Sequence, residues 1–191
     1  RCLAITVNNG FISEQAIENC NTITRSLGVD FLLYAPSSSF LNKMYRTSVT
    51  ESGIHAKSAI TRASQICNSC INLINNHMVK IAIQQSVPLV AGGYIGGQIP
   101  KDAAVMKLNP KMMEGMRQSR VDRFVQAFGP ESKRYFGLPA NLLERSDDPV
   151  TIINPMLTLS ITEEELLARI VALGWVKTTD TGLHSTNCKL N

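Results

Sequence analysis

The chain has 191 residues and a mass of 21.0 kDa, with 44% hydrophobic and 18% charged residues, which excludes global disorder and suits one domain with a real core. Lysine and arginine number 19 against 15 acidic residues; the net charge of +4 admits an anionic partner such as a nucleotide without arguing for nucleic acid, and 6% aromatics leave few stacking platforms. No apolar run reaches the roughly 18 residues needed to span a bilayer, and no leader pattern opens the chain, so a cytoplasmic setting without a membrane partner is the expectation.

Residues 3–8, Leu-Ala-Ile-Thr-Val-Asn, read as a short buried strand. The first residue is Arg1 and the strand begins two residues later, so a segment preceding Arg1 is expected. Asn8-Asn9-Gly10 is a turn, since Asn and Gly tolerate positive φ. Ser13 is a fair N-cap with Glu14 in the first turn; Ala16, Ile17, Ile23 and Leu27 form a helical stripe, and Gly28 stops it. Residues 29–34 read as a second strand, so β–α–β and a parallel pair follow.

Residues 39–56 show no clear period. Over 57–86 the pattern is helical, with Ile60, Ala63, Cys67, Cys70, Ile74, Met78 and Ile81 on one face and a break predicted near Asn68-Ser69. Residues 87–91 read as a third buried strand that runs into the glycine-rich turn at 92–97. Residues 101–128 read as helix interrupted by Pro110, carrying Lys101, Lys107, Lys111, Arg117, Arg120 and Arg123 among four methionines. Residues 129–150 read as loop, and 150–159 as a fourth strand, with Asn154-Pro155 implying an edge or a bend. Thr162 and Glu165 make a capping box for a helix that ends at Gly174, and a polar tail follows from Thr178.

Four constellations could carry chemistry. Five cysteines (Cys2, Cys20, Cys67, Cys70 and Cys188) in a chain without a leader argue against a disulfide scaffold and for a reducing compartment. Cys67 and Cys70 lie three apart, so on a helix both thiolates reach one metal; the same positions on an apolar stripe suit plain packing equally well. Core packing does not explain Cys188 in its polar tail. Three thiolates can hold a [4Fe–4S] cluster with one open iron, or zinc if a fourth ligand joins, for which His184 is the first candidate and His77 the second. The turn at 92–97 sits where open α/β sheets bind ligands, yet matches neither a Walker loop nor GxGxxG. The basic stretch 101–123 is either a positive face over an anion or an ordinary amphipathic helix. No Ser–His–Asp arrangement is readable, His55 has no motif around it, and Asp147-Asp148 reads as surface loop.

The segments LAITVNNGFISEQAIENC (3–20), LGVDFLLY (27–34), ICNSC (66–70), VPLVAGGYIGGQ (87–98), TIINPMLTLSITEEELLARIVALGW (151–175) and HSTNC (184–188) span nearly the whole chain. Together they resemble the adenine nucleotide α-hydrolase-like superfamily, and within it the PP-loop (N-type) ATP pyrophosphatases. The cysteine arrangement is similar to that of three-cysteine ATP-dependent sulfurtransferases, and sugar amidotransferases are a similar relative. The resemblance implies an α/β, Rossmann-like three-layer sandwich with a mostly parallel sheet, one domain over 1–191. It implies ATP with Mg2+ at the strand ends, adenine near the backbone of Thr6, Val7 and Asn8, and the turn of Gly92, Gly93 and Tyr94 beside the nucleotide. It further implies that Cys67, Cys70 and Cys188 hold a [4Fe–4S] cluster, or alternatively zinc, and take part in catalysis.

In such enzymes a carbonyl or carboxyl oxygen is adenylated, pyrophosphate leaves, and sulfide or ammonia displaces AMP. A small-molecule acceptor is preferred, transfer RNA is admitted, and a homodimer is compatible with the reading. The family's Ser-Gly-Gly-x-Asp-Ser phosphate loop occurs nowhere in the chain, Asn8 stands where relatives commonly have Asp, and Tyr94 where many have His. The expectation is therefore a domain lacking its N-terminal strand and phosphate loop. An ATP-dependent amidotransferase and a non-enzymatic nucleotide- or metal-binding module are the alternatives.

Overall fold

Branched apolar residues build a parallel pair at the start of the chain. In the computed structural model, which describes residues 2–96, 98–138, 150–181 and 187–190, β1 (Leu3–Val7) pairs with β2 (Asp30–Tyr34) in register from Leu3↔Asp30 to Val7↔Tyr34. The crossover is α1 (Glu14–Ser26), which turns out through Gly28 at φ +63°, a conformation that an L side chain rarely adopts. The predicted β–α–β unit is therefore present.

The chain divides into two compact units, residues 1–41 with 161–191, and residues 42–160. In the first unit, buried Asn19 of α1 uses both ends of its amide on Val176: Nδ2 donates to the carbonyl and Oδ1 accepts from the N–H. That bidentate contact ties the segment after the last helix to α1. In the chain-order numbering the last helix is α7 (Glu163–Ala172), and its predicted capping box is formed: Thr162 accepts from the Glu165 N–H, and the Glu165 carboxylate accepts from the Thr162 N–H.

The second unit holds a three-stranded sheet in the order β3 (Leu89–Ala91), β5 (Val150–Ile153), β4 (Val105–Leu108). β5 pairs parallel with β3 and antiparallel with β4. The fold is mixed α/β, with one parallel and one mixed sheet. Against this sheet packs α4 (Gln65–Gln84), with Met113 of α5 (Pro110–Phe128) beside Leu108; α3 (Lys57–Ile60) packs on α4, and α6 (Ser132–Phe136) on α4 and α5. Phe124, Phe128 and Phe136 form one buried centre, with ring centroids 4.3–6.1 Å apart. Val79, Leu108, Met113 and Leu138 form a second, against which Ile83 and Ile152 pack.

Five expectations change. Residues 39–56 contain a helix, α2 (Ser38–Thr50), because Phe40, Met44 and Ser48 recur every four residues and bury one face together with Leu41 and Tyr45. The break in the long helical stretch falls at 61–64 rather than at Asn68-Ser69. Ser64 caps α4 by accepting from the Cys67 N–H, and the Asn68 amide donates to the carbonyls of Ala59, Ala63 and Ser64. The buried face of α4 is Ser69, Leu73, Val79 and Ala82, so the stripe holding Cys67 and Cys70 flanks the core instead of filling it.

Residues 105–108 form a strand rather than helix, and Pro110 begins α5 at its first turn, under the Asn109 cap. The supposed continuous basic helix is therefore divided, with Lys101 in a 3-10 turn and Lys107 in β4. β5 is the central strand, so Asn154-Pro155 ends it as a bend and marks no edge. Ser132–Phe136 is helical within the stretch read as loop, and residues 139–149 lie outside the described residues. Among the described residues, no helix is long and apolar enough to cross a membrane.

Candidate functional site

The carboxyl end of β1, in the first unit, carries one candidate site. The Asn8 N–H donates to the Tyr34 carbonyl at 2.7 Å, extending the ladder by one rung. The Asn8 side-chain oxygen then accepts from the Gly10 N–H at 3.0 Å, and that of Asn9 from the Phe11 N–H at 2.9 Å. Two successive side-chain-closed turns result, with Gly10 at φ +83°. Among the described residues β1 pairs only with β2, so the other backbone edge of Thr6 and Val7 carries no strand.

The tail is stitched onto this turn. The Ser13 N–H donates to the Asn187 carbonyl, the Lys189 N–H donates to the Phe11 carbonyl, both at 2.8 Å, and Ile12 and Cys188 form an antiparallel bridge. Fully buried Ser13 sits at the predicted N-cap position of α1, but its hydroxyl makes no cap. It donates to Asp180 at 2.6 Å instead. Asp180 is also paired with Lys189 at 2.8 Å. The Lys189 hydrogen bond, and secondly that of Ser13, hold the Asp180 carboxyl below its ordinary range, while Asp180 raises the Lys189 ammonium. The structure thus joins predicted Asn8 and Cys188 to one strand end, and adds Ser13, Asp180 and Lys189, which the sequence reading had not singled out as site residues.

The second unit has a strand end of its own. Gly92 donates its N–H to the Ile153 carbonyl at 2.8 Å, at the carboxyl end of β3. Beside it lies Asn154, only 2% exposed, whose Nδ2 donates to the Ala103 carbonyl and whose N–H donates to the Ala104 carbonyl. The Asn154 Oδ1 is buried without a hydrogen-bond partner and rests against Gly92, where a Cβ would collide with it. Gly92 is therefore required by close approach, whereas Gly93 faces open space. Tyr94 is half-buried and lines a cavity of about 720 Å³.

Cys67 and Cys70 lie half-buried in the first turns of α4, outside the lining of that cavity. All five cysteines are thiols. Cys188 belongs to the first unit and the pair to the second, so neither unit by itself assembles the three-cysteine set. His184 lies outside the described residues. His77 stands seven residues along α4 from Cys70, about 10 Å of helix rise, too far for the two to share a metal. Its imidazole is held below its ordinary basicity by burial, then by Lys80. Among the described residues, no group of three or more His, Cys, Asp or Glu side chains comes together to hold a metal ion.

His55, unmarked in sequence, ends a buried chain of hydroxyls. The Ser48 hydroxyl donates to the Met44 carbonyl, Ser48 and Ser69 share a hydrogen bond, and Ser69 meets His55 Nε2, each at 2.8 Å. Burial lowers the basicity of His55, Arg123 lowers it further, and a hydrogen bond to the Gln65 backbone opposes both. The chain is closed to solvent and serves as an internal tie between α2 and α4. Comparison with family models, with curated proteins and with solved structures gives no match for this chain.

Proposed function

We propose that this chain is an ATP-dependent adenylating enzyme that activates a carbonyl or carboxyl oxygen of a small molecule and replaces it with sulfur. The observation that carries the reading is the tail seated on the turn after β1. It brings a thiol, Cys188, and the Asp180–Lys189 ion pair to the carboxyl end of a parallel strand pair, the place where open α/β sheets bind ligands. In this reading the purine of ATP, bound with Mg2+, lies beside Thr6, Val7 and Asn8, along the edge of β1 that pairs with no strand among the described residues. The β1–α1–β2 crossover of the first unit supports a Rossmann-like reading, and the second unit by itself has a parallel β3–β5 pair with Gly92, Gly93 and Tyr94 at its strand end.

The acceptor oxygen attacks the α-phosphorus of ATP, the bond to the β-phosphate oxygen breaks, and pyrophosphate departs. The resulting adenylate turns a poor oxygen leaving group into AMP, which the incoming sulfide displaces while its proton passes to solvent or base. Cys67 and Cys70, one turn apart, suit two ligands of a [4Fe–4S] cluster or of zinc. The described residues add no third ligand, and no step here runs through a metal.

Calorimetric titration of the full chain with MgATP tests the reading, followed by assay of AMP and pyrophosphate against candidate acceptors. One ATP per chain is expected, lost in Asn8→Ala. A chain that binds no ATP refutes the proposal. Ammonia-dependent product in place of sulfide-dependent product would make it an amidotransferase.

A further inference from the structure

The cavity of the second unit has a polarity that adenylation leaves unused. Its wall on α4 is the stripe Asn68, Ile71, Asn75 and Val79, three or four residues apart, so the cavity follows the helix for about 16 Å. At the amino-terminal end the wall meets Arg62 and Ser58, and the Asn68 amide fastens that end to the carbonyls of Ala59 and Ala63. At the far end it runs into the apolar cluster of Val79, Leu108, Met113 and Leu138. Between the two, Ile71 at 36% exposure and Met106 at 39% present apolar surface.

Arg62 is the single ionic side chain among the described residues that line the space, and it is exposed. One guanidinium cannot balance a triphosphate, and the described lining residues include no carboxylate for magnesium or for a cationic ligand. Ser58, Asn75, Asn76 and Gln98 offer polar partners to a ligand's head or flank, whereas a ligand polar along its whole length would leave hydroxyls unsatisfied against Ile71, Met106 and Ile152. An elongated molecule with one anionic end and an apolar body has neither problem.

We propose that this cavity is a binding site for an amphipathic monoanion, its carboxylate head on Arg62 and its unbranched apolar body along α4 toward Met106 and Met113. The site stands whether or not the chain uses ATP. A volume of about 720 Å³ lies within the ordinary range of small-molecule pockets. Each methylene buried along the wall tightens binding about fourfold.

The test uses the full chain with methyl-labelled methionine and three probes: decanoate and octanoate below their micellar concentrations, and decanol below its solubility limit. Decanoate is expected to shift the Met106 and Met113 methyl resonances saturably at one per chain, and octanoate, two methylenes shorter, to bind about sixteenfold more weakly. Arg62→Ala should weaken decanoate about tenfold and leave decanol unchanged, since only the head contacts the guanidinium. Ile71→Trp fills the space and should abolish both; if that variant does not fold, Ala63→Leu takes its place. Shifts spread over all methionines, no shift at Met106 and Met113, or an Arg62→Ala variant that treats decanoate and decanol alike, would overturn the proposal.

Discussion

Replacing Gly92 with alanine should destabilise the chain, and its neighbour Gly93 supplies the control. A Cβ at position 92 lands on the Asn154 Oδ1, whereas at position 93 it meets nothing within 4 Å. Asn154 has little freedom to retreat, because its Nδ2 is bound to the Ala103 carbonyl and its N–H to the Ala104 carbonyl, both at 2.8 Å. Rotating the side chain away strands the buried amide, at about 1–3 kcal/mol. Shifting backbone instead is an overpacking response of about 1–3 kcal/mol. The stiffer unfolded chain returns about 0.4–1 kcal/mol in either substitution. The net expectation is a loss of about 0.5–2.5 kcal/mol for Gly92→Ala and a small gain for Gly93→Ala. Urea unfolding followed by circular dichroism reads both. Adding Asn154→Ala removes the colliding atom, so the double variant should be more stable than the sum of the single losses. Equal midpoints for Gly92→Ala and Gly93→Ala would refute the close-approach argument.

Two further expectations concern protons and the tail. Because burial and Arg123 lower the basicity of His55 in the folded chain, the unfolded chain takes up this proton first, near 6.5. The His55 contribution is therefore complete above that value and is lost as pH falls through it; urea midpoints measured from about pH 8 to 5 should decline more steeply in the wild type than in His55→Gln, and parallel curves would show that His55 is not desolvated. Asp180→Asn removes the charge that Ser13 and Lys189 share, so backbone amides of residues 187–190 should exchange faster with deuterium while those of α7 do not change; unaltered exchange would mean that the network does not hold the tail. In the wild type this tie is present above the ordinary carboxylate value of 3.8 and weakens as pH falls below it toward the lowered folded value.

Elements whose signals are local were legible in the sequence. β1, α1 and β2 follow from branched apolar runs, a turn of Asn and Gly, and a glycine stop, all within a few residues of one another. The capping box at Thr162 is likewise a contact across three residues. Elements defined by a partner were not. Val105–Leu108 is a strand because β5 accepts it, and its short run of Val-Met-Lys-Leu suits a helix as well as a ladder. For the same reason Asn154-Pro155 could not be told apart as an edge or as the end of a central strand: the tail of β5 looks alike in both.

The candidate site divides along the same line, and one omission produced another. Asn8 and Gly92 are turn residues after strands, so residue type and position marked them. Ser13 reads locally as a cap, but its hydroxyl goes to a carboxylate 167 residues away, a partner that no spacing rule supplies. The His55 chain was missed for a more specific reason. Its hydroxyls come from Ser48 and Ser69, and Ser48 turns inward only because α2 buries the face that also holds Phe40 and Met44. With 39–56 read as aperiodic, Ser48 had no face and His55 no neighbours. The four-residue recurrence of Phe40, Met44 and Ser48 was present, but a serine in its third place breaks an apolar count. A buried polar residue thus hid the helix whose packing would have shown why that residue is buried.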